Sequence, residues 1–186
     1  MSLAIHKYGD GVLREKSQPV QEVDDDLRAV VKDMIQTMRE ERGVGLAAQQ
    51  VGRTEALCVV DVPFEYDRDE SGVRYNPDVP MPLVLVNPEI AESSSETESA
   101  DEGCLSFPGI YAPIERPVEI TVRFLDARGK PQTLRLRKFV ARVVQHEMDH
   151  LNGVLLVDRM SALKKIALSG QLKRLKKETR EALAQA

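Results

Sequence analysis

The chain has 186 residues, of which 42% are hydrophobic and 30% charged, and its net charge is −4. That balance excludes a disordered chain and suits one domain with its own core, while no apolar run approaches the roughly 18–20 residues of a membrane span. The opening segment lacks a basic stretch followed by an apolar core, so no secretory signal is read there and a cytoplasmic, bacterial-type protein is expected.

The first element expected is a helix from about Asp25 to Arg42. Asp24, Asp25 and Asp26 offer caps at the positive end of its dipole. Leu27, Val30, Val31, Met34, Ile35 and Met38 recur at helical spacing, and Gly43 stands where a C-cap glycine would. Glu55–Val62 and Leu83–Val86 read as strands. Between them Phe64–Pro82, punctuated by Gly72, Pro77, Pro80 and Pro82, reads as a surface excursion: a tolerated insertion rather than an entrance to a site.

Further strands are expected at Glu89–Thr97, Val118–Leu125 and Gln132–Arg137. A helix follows from about Lys138 to Leu151, with Val140, Val143, Val144, Glu147 and Leu151 on one stripe. A last helix, about Ser161 to Ala184, has Leu163, Ile166, Ala167, Leu172 and Leu175 as its seam, weakened by Ser169-Gly170. Helices and strands in separate runs predict an α+β fold of antiparallel or mixed sheets around a central helix, as one domain over 1–186.

Charge is unevenly placed. Residues 161–186 carry seven Lys/Arg against Glu178 and Glu181, so the preceding 160 residues hold a net −9. Such a tail either meets something anionic or is a solvated helix face, and composition does not choose between them. Cys58, in the apolar run Ala56–Val60, reads as a buried structural thiol, and Cys104, beside Gly103, as a working one in a reduced protein.

Chemistry concentrates in Gln145-His146-Glu147-Met148-Asp149-His150. Two of only three histidines stand four apart on a predicted helix, on one face, where both can reach one metal. Glu147 borders that face, which suits a general base acting on water beside the metal. A third ligand is needed. The extended pattern H-E-x-x-H-x-x-G-x-x-H keeps Gly153 but has Leu156 at its last position, His6 lies in an irregular N-terminus, and Glu178 and Glu181 lie on the basic tail. The Cys104 thiolate is the better candidate, completing a three-ligand site open to water. Gly43-Val44-Gly45-Leu46-Ala47-Ala48-Gln49-Gln50 adds a small-residue segment that another backbone can approach closely, though a helix end with tight packing would use the same residues.

Together Gly43–Gln50, Glu102–Ser106 and Gln145–His150 resemble the three motifs of peptide deformylases, G-x-G-x-A-A-x-Q, E-G-C-L-S and Q-H-E-x-D-H, in the family's order. The resemblance implies a hydrolase that removes the formyl group from N-terminal formyl-methionine of nascent chains. It implies Cys104, His146 and His150 as metal ligands and Glu147 as the proton carrier. Gln50 and the Leu105 N–H would be donors to the oxyanion. The backbones of Val44, Gly45 and Gly103 would hold the peptide, with Val143 and the Arg142 stem, its guanidinium turned outward, around the methionine side chain. Glu102 would accept from a ligating histidine, and Asp149 would make a structural ion pair. The residue set alone says zinc; the resemblance implies Fe2+, with Zn2+, Ni2+ or Co2+ able to substitute, and associates the C-terminal helix with the ribosome. Two other readings compete. A metallopeptidase that cuts internal bonds leaves Gln50 without a task, and a ribosome-binding module with a closed structural metal lacks a fourth ligand.

Overall fold

A computed structural model describes residues 2–185; Met1 and Ala186, the ends of the expected 1–186 domain, lie outside the described residues. Strand β2 (Leu57–Val60) is apolar at every position because both of its faces are covered. Leu57 and Val59 join Leu27, Val31, Met34 and Met38 of helix α1 (Asp25–Glu40). Cys58 and Val60 join Val140, Val143, Val144 and Met148 of helix α2 (Lys138–Leu151). Side chains alternate along a strand, so four consecutive residues serve two cores. The same alternation sends Leu46 of β1 (Gly45–Ala47) toward α1 and Ala47 toward α2.

Five strands form one sheet in the order β1-β2-β3-β6-β7, with β3 at Leu83–Ser93, β6 at Glu119–Leu125 and β7 at Pro131–Arg137. A second sheet is the hairpin of β4 (Thr97–Glu102) and β5 (Ala112–Pro117), and every named pair is antiparallel. Helix α2 is wrapped so completely that 11 of its 14 residues are buried. After it come α3 (Leu156–Arg159), α4 (Ala162–Ala167) and α5 (Ser169–Leu183), with Leu172 and Leu175 of α5 buried against Leu13, Phe107 and Ile114.

Several sequence expectations are corrected. Helix α1 ends at Glu40, and its left-handed residue is Arg42 (φ 57°) rather than Gly43. Arg42 N–H donates to Arg39 O and Gly43 N–H to Met38 O, a Schellman closure with an arginine where glycine is usual. Leu83–Val86 and Glu89–Thr97 are not two strands. β3 runs through Asn87-Pro88 by means of register shifts against β6. The expected C-terminal helix breaks at Leu168, while Gly170 sits inside α5. Ahead of that break the seam fails: Leu163 and Ile166 are 82% and 72% exposed. Neither β1, β4 nor β5 was expected.

The 64–82 excursion is tied to the body. Asp67 and Asn76 are buried within it, Asn76 donates to Asp67 and to Arg137 O, and Arg137 N–H donates back to Asn76. Removing that amide leaves Asp67 Oδ1 and two backbone groups of Arg137 without their partner, while Oδ2 keeps Arg74. Asn76→Ala should therefore lower the unfolding free energy by roughly 1–3 kcal/mol. Urea denaturation reads this directly, and an unchanged midpoint would show that the segment is not anchored there.

Candidate metal centre

Helix α2 presents His146 and His150 one turn apart, ring centroids 5.1 Å from each other. Strand β4 ends at Glu102, and the turn that follows brings Cys104 to the same spot, its Sγ 3.3 Å from His150 Nε2. One donor atom from each of the three residues lies within 4.8 Å of the others. Bonds of roughly 2.0–2.3 Å around one tetrahedral ion place donors roughly 3.3–3.8 Å apart, so the set fits a single metal with small movements. No fourth side chain joins the cluster among the described residues, which leaves a position open.

What holds this geometry is Glu102, buried beneath the cluster. Its Oε1 accepts from Arg116 Nε at 2.6 Å and Arg142 Nη1 at 2.9 Å; its Oε2 accepts from Arg116 Nη2 at 2.9 Å and His146 Nδ1 at 3.0 Å. Burial opposes ionisation, but the His146 hydrogen bond and the Arg116 guanidinium outweigh it and hold the Glu102 carboxyl at about 2. Tying Nδ1 of His146 to Glu102 turns Nε2 toward Cys104. Asp149 accepts from Arg116 and Arg159, the structural ion pairing expected of it.

Glu147 is buried beside the histidines, and its Oε2 has no partner among the described protein atoms. Burial pushes its carboxyl up to about 7, against the pull of His146. Gly45 makes room for it: a Cβ there would collide with the Glu147 carboxylate. Gly43 does the same for Leu105, whose Cδ1 would lie 2.9 Å from an added Cβ, so this glycine serves close approach rather than a turn. Burial opposes a proton on His146 too, yet hydrogen bonds with Cys104 and Glu102 raise its pKa well above the ordinary value. Burial and neighbouring His146 lower that of His150.

A cleft of about 590 Å³ opens over this cluster. Val44, Gly45, Gln50, Gly103, Leu105, Arg142 and Val143 all line it, so every expected site residue other than His150 borders the cleft, and His150 lies in the cluster at its base. Gln50 Nε2 lies 3.5 Å from Cys104 Sγ. Cys58 is a free thiol buried in β2 and Cys104 a free, half-buried one, as expected. The expectation for Arg142 is corrected. Its guanidinium is turned inward, donating to Glu102, Ile114 O and Glu98 O. Sequence reasoning missed Arg116, whose signal is its inward place in the alternation Ala112, Ile114, Arg116 of β5. It also missed Tyr111 and Phe139 on the cleft wall.

Comparisons with known proteins agree with this architecture. The family model described as polypeptide deformylase matches residues 2–166. A peptide deformylase of Opitutus terrae is 44% identical over 98% of this chain and 97% of its own length. The crystal structure of peptide deformylase from Ehrlichia chaffeensis is similar with a TM-score of 0.85 at 35% identity, covering 98% of this chain and 99% of that one. That of a peptide deformylase from Synechococcus elongatus, in complex with actinonin, gives 0.77 at 39% identity, covering 95% and 85%.

Glu147 titrates at about 7 in the folded protein against an ordinary 4.5, so between those values the folded state keeps a proton that the unfolded chain has lost. Stability drawn from this group therefore falls as pH rises through that window. Urea unfolding of metal-stripped protein at about pH 5 and about pH 7.5 should show a larger loss toward the higher pH than for Glu147→Gln. Equal changes in the two proteins would mark the carboxyl as ordinary.

Proposed function

The chain belongs to the peptide deformylase family, and from that membership we propose that the cleft over Cys104, His146 and His150 is where it removes the formyl group from N-terminal formyl-methionine of nascent polypeptides. The products are formate and a peptide with a free amine. The observation that carries the reading is one buried carboxylate with an unpartnered oxygen, Glu147, beside three converging donor atoms at the floor of an open cleft.

Family membership makes the enzyme metal-dependent, and Cys104, His146 and His150 would hold one divalent ion. When bound, that ion polarises the formyl carbonyl and acidifies water. Glu147 takes the proton from the attacking water and later delivers it to the departing amine nitrogen, a task suited to a carboxyl titrating near neutrality. Gln50 Nε2 and the Leu105 N–H donate to the oxygen of the formyl group as it becomes an oxyanion. Each such donor is worth about 2.7–4 kcal/mol where charge develops only in the transition state.

The peptide lies as an added strand between Val44-Gly45 on one wall and Gly103 on the other, where β1 is an edge strand of the sheet. Val143 and the Arg142 stem receive the methionine side chain, with the Arg142 charge held away from it by Glu102. Fe2+ is the native ion in this reading, although Cys-His-His alone would suit zinc, and Zn2+, Ni2+ or Co2+ can substitute. Two unpaired thiols agree with a reducing, cytoplasmic setting, and residues 1–186 act as one domain. No helix among the described residues is long and apolar enough to cross a membrane. On α5 the buried Leu172 and Leu175 leave Lys173, Lys176, Lys177 and Arg180 side by side at the surface, and this basic face docks on the ribosome.

Two measurements test these assignments. Anaerobically prepared protein should release formate from formyl-Met-Ala-Ser, and Glu147→Ala should slow it by roughly 10²–10⁴-fold with the metal retained. Equal rates, or no release above background, would remove the catalytic assignment. Neutralising Lys173, Arg174, Lys176 and Lys177 should weaken co-sedimentation with ribosomes at low salt while formate release stays at the wild-type rate. Unchanged co-sedimentation would remove the ribosome from the picture.

A further inference from the structure

Ser106 is fully buried two residues beyond Cys104, and nothing in the proposed chemistry uses it. Its neighbours make it more than filler. Gln50 sits in the 3₁₀ turn Ala48–Val51 after β1, and its Oε1 accepts from the Ala47 N–H at 2.9 Å. That bond settles which end of the amide is oxygen, so Nε2 must face the other way. Nε2 carries two hydrogens. It meets Ser106 Oγ at 3.2 Å and looks toward Cys104 Sγ at 3.5 Å, the floor of the cleft.

Ser106 has one hydroxyl hydrogen, and it goes to His6 O at 2.7 Å. Toward Gln50 the serine can therefore only accept. The result is a directional chain, Gln50 N–H to Ser106 O–H to His6 C=O, which consumes one amide hydrogen and leaves the second for the cleft. The N-terminal strap closes the circuit through backbone: His6 N–H donates to Gln50 O at 2.8 Å, and Tyr8 N–H to Ser106 O at 2.9 Å.

That strap is itself well fixed. The His6 ring pairs with Asp10 Oδ2 at 2.6 Å and packs on Gly52, where an added Cβ would lie 2.6 Å from Nε2. Tyr8 stacks on Phe107 with centroids 4.8 Å apart. The segment 5–8 thus clamps the two motif segments that carry Gln50 and Cys104, although it belongs to neither.

We propose that Ser106, backed by the strap 5–8, is a positioning residue that locks the Gln50 amide with one N–H aimed into the cleft. The inference rests on the reading of Gln50 as an oxyanion donor. Without the Ser106 acceptor the amide keeps its Ala47 anchor and the longer contact with Cys104 Sγ, and turns about its last torsion. Displacements of about 1 Å in such a donor cost up to about 10²-fold in rate.

The test is a double-mutant cycle on metal-loaded enzyme with formyl-Met-Ala-Ser, with metal content and thermal midpoint measured beside it. Ser106→Ala should lower kcat about tenfold, with KM within about twofold of wild type and metal content unchanged. On a Gln50→Ala background the same substitution should change kcat less than about twofold, because the residue it positions is gone. A readout independent of rate is the side-chain amide of Gln50 in zinc-loaded protein. Its order parameter should be near 0.85 in wild type and fall toward 0.6 in Ser106→Ala. A wild-type value already below about 0.6 would overturn the proposal even if the variant failed to fold. Multiplicative losses in the double variant would overturn the positioning role alone. Gln50→Ala with wild-type kcat would sink the oxyanion reading and the proposal with it.

Discussion

Everything at the cleft depends on one buried carboxylate receiving four N–H donors. Glu102 has two oxygens with about four acceptor sites, and Arg116, Arg142 and His146 fill them. A buried ion pair seldom adds net stability, because desolvation consumes most of the Coulombic gain. Saturation of the carboxylate is what makes burial tolerable here, and placement is what it achieves. Arg116 comes from β5, Arg142 and His146 from α2, and Glu102 from the end of β4. One cluster therefore ties the hairpin to the helix two residues before Cys104. The thiol reaches His150 because its neighbour is pinned to His146.

The rest of the fold supplies the frame for that junction. Strands β2 and β3 spend alternate side chains on α1 and α2, so the sheet is clamped from both faces and α2 is nearly encased. An encased helix is a poor place for ionisable groups. Those it has are therefore either fully paired, as Arg142 is, or displaced in their titration, as Glu147 is. Local rules are broken where the chemistry is, and β2 or β6 break none of them.

Legibility in the sequence followed periodicity. Helix α2 begins and ends at the expected residues, and its i, i+4 histidines announced a metal before any fold was known. The cysteine followed by elimination. What stayed hidden lacked a pattern of its own. β4, Thr97–Glu102, is mostly exposed and polar on both faces, and β5 carries Pro113 and Pro117, so neither looks like a strand alone. Each is stable only in the other's company. Arg142 looked like a charge at the rim because its three acceptors, on Glu102, Ile114 and Glu98, are distant in sequence. The seam through Leu163 and Ile166 was read as part of one long helix weakened at Ser169-Gly170, and the helix instead breaks one residue earlier, at Leu168.

The same distinction explains why the anchoring of the 64–82 segment was not legible in the sequence. Its prolines, glycine and charges are those of a solvated loop. Asp67 and Asn76 nevertheless satisfy each other and the backbone of Arg137, one residue before α2 begins. Polar side chains in a loop count as solvent-facing only until a specific partner is found, and a buried, satisfied Asp–Asn pair fixes one geometry that apolar contacts without direction do not. Phe139, two residues further on, lies against Tyr66 of this segment at 5.6 Å and also lines the cleft. The excursion therefore contacts the first turn of the helix that carries His146 and His150, so its anchoring and the cleft wall share one structural support.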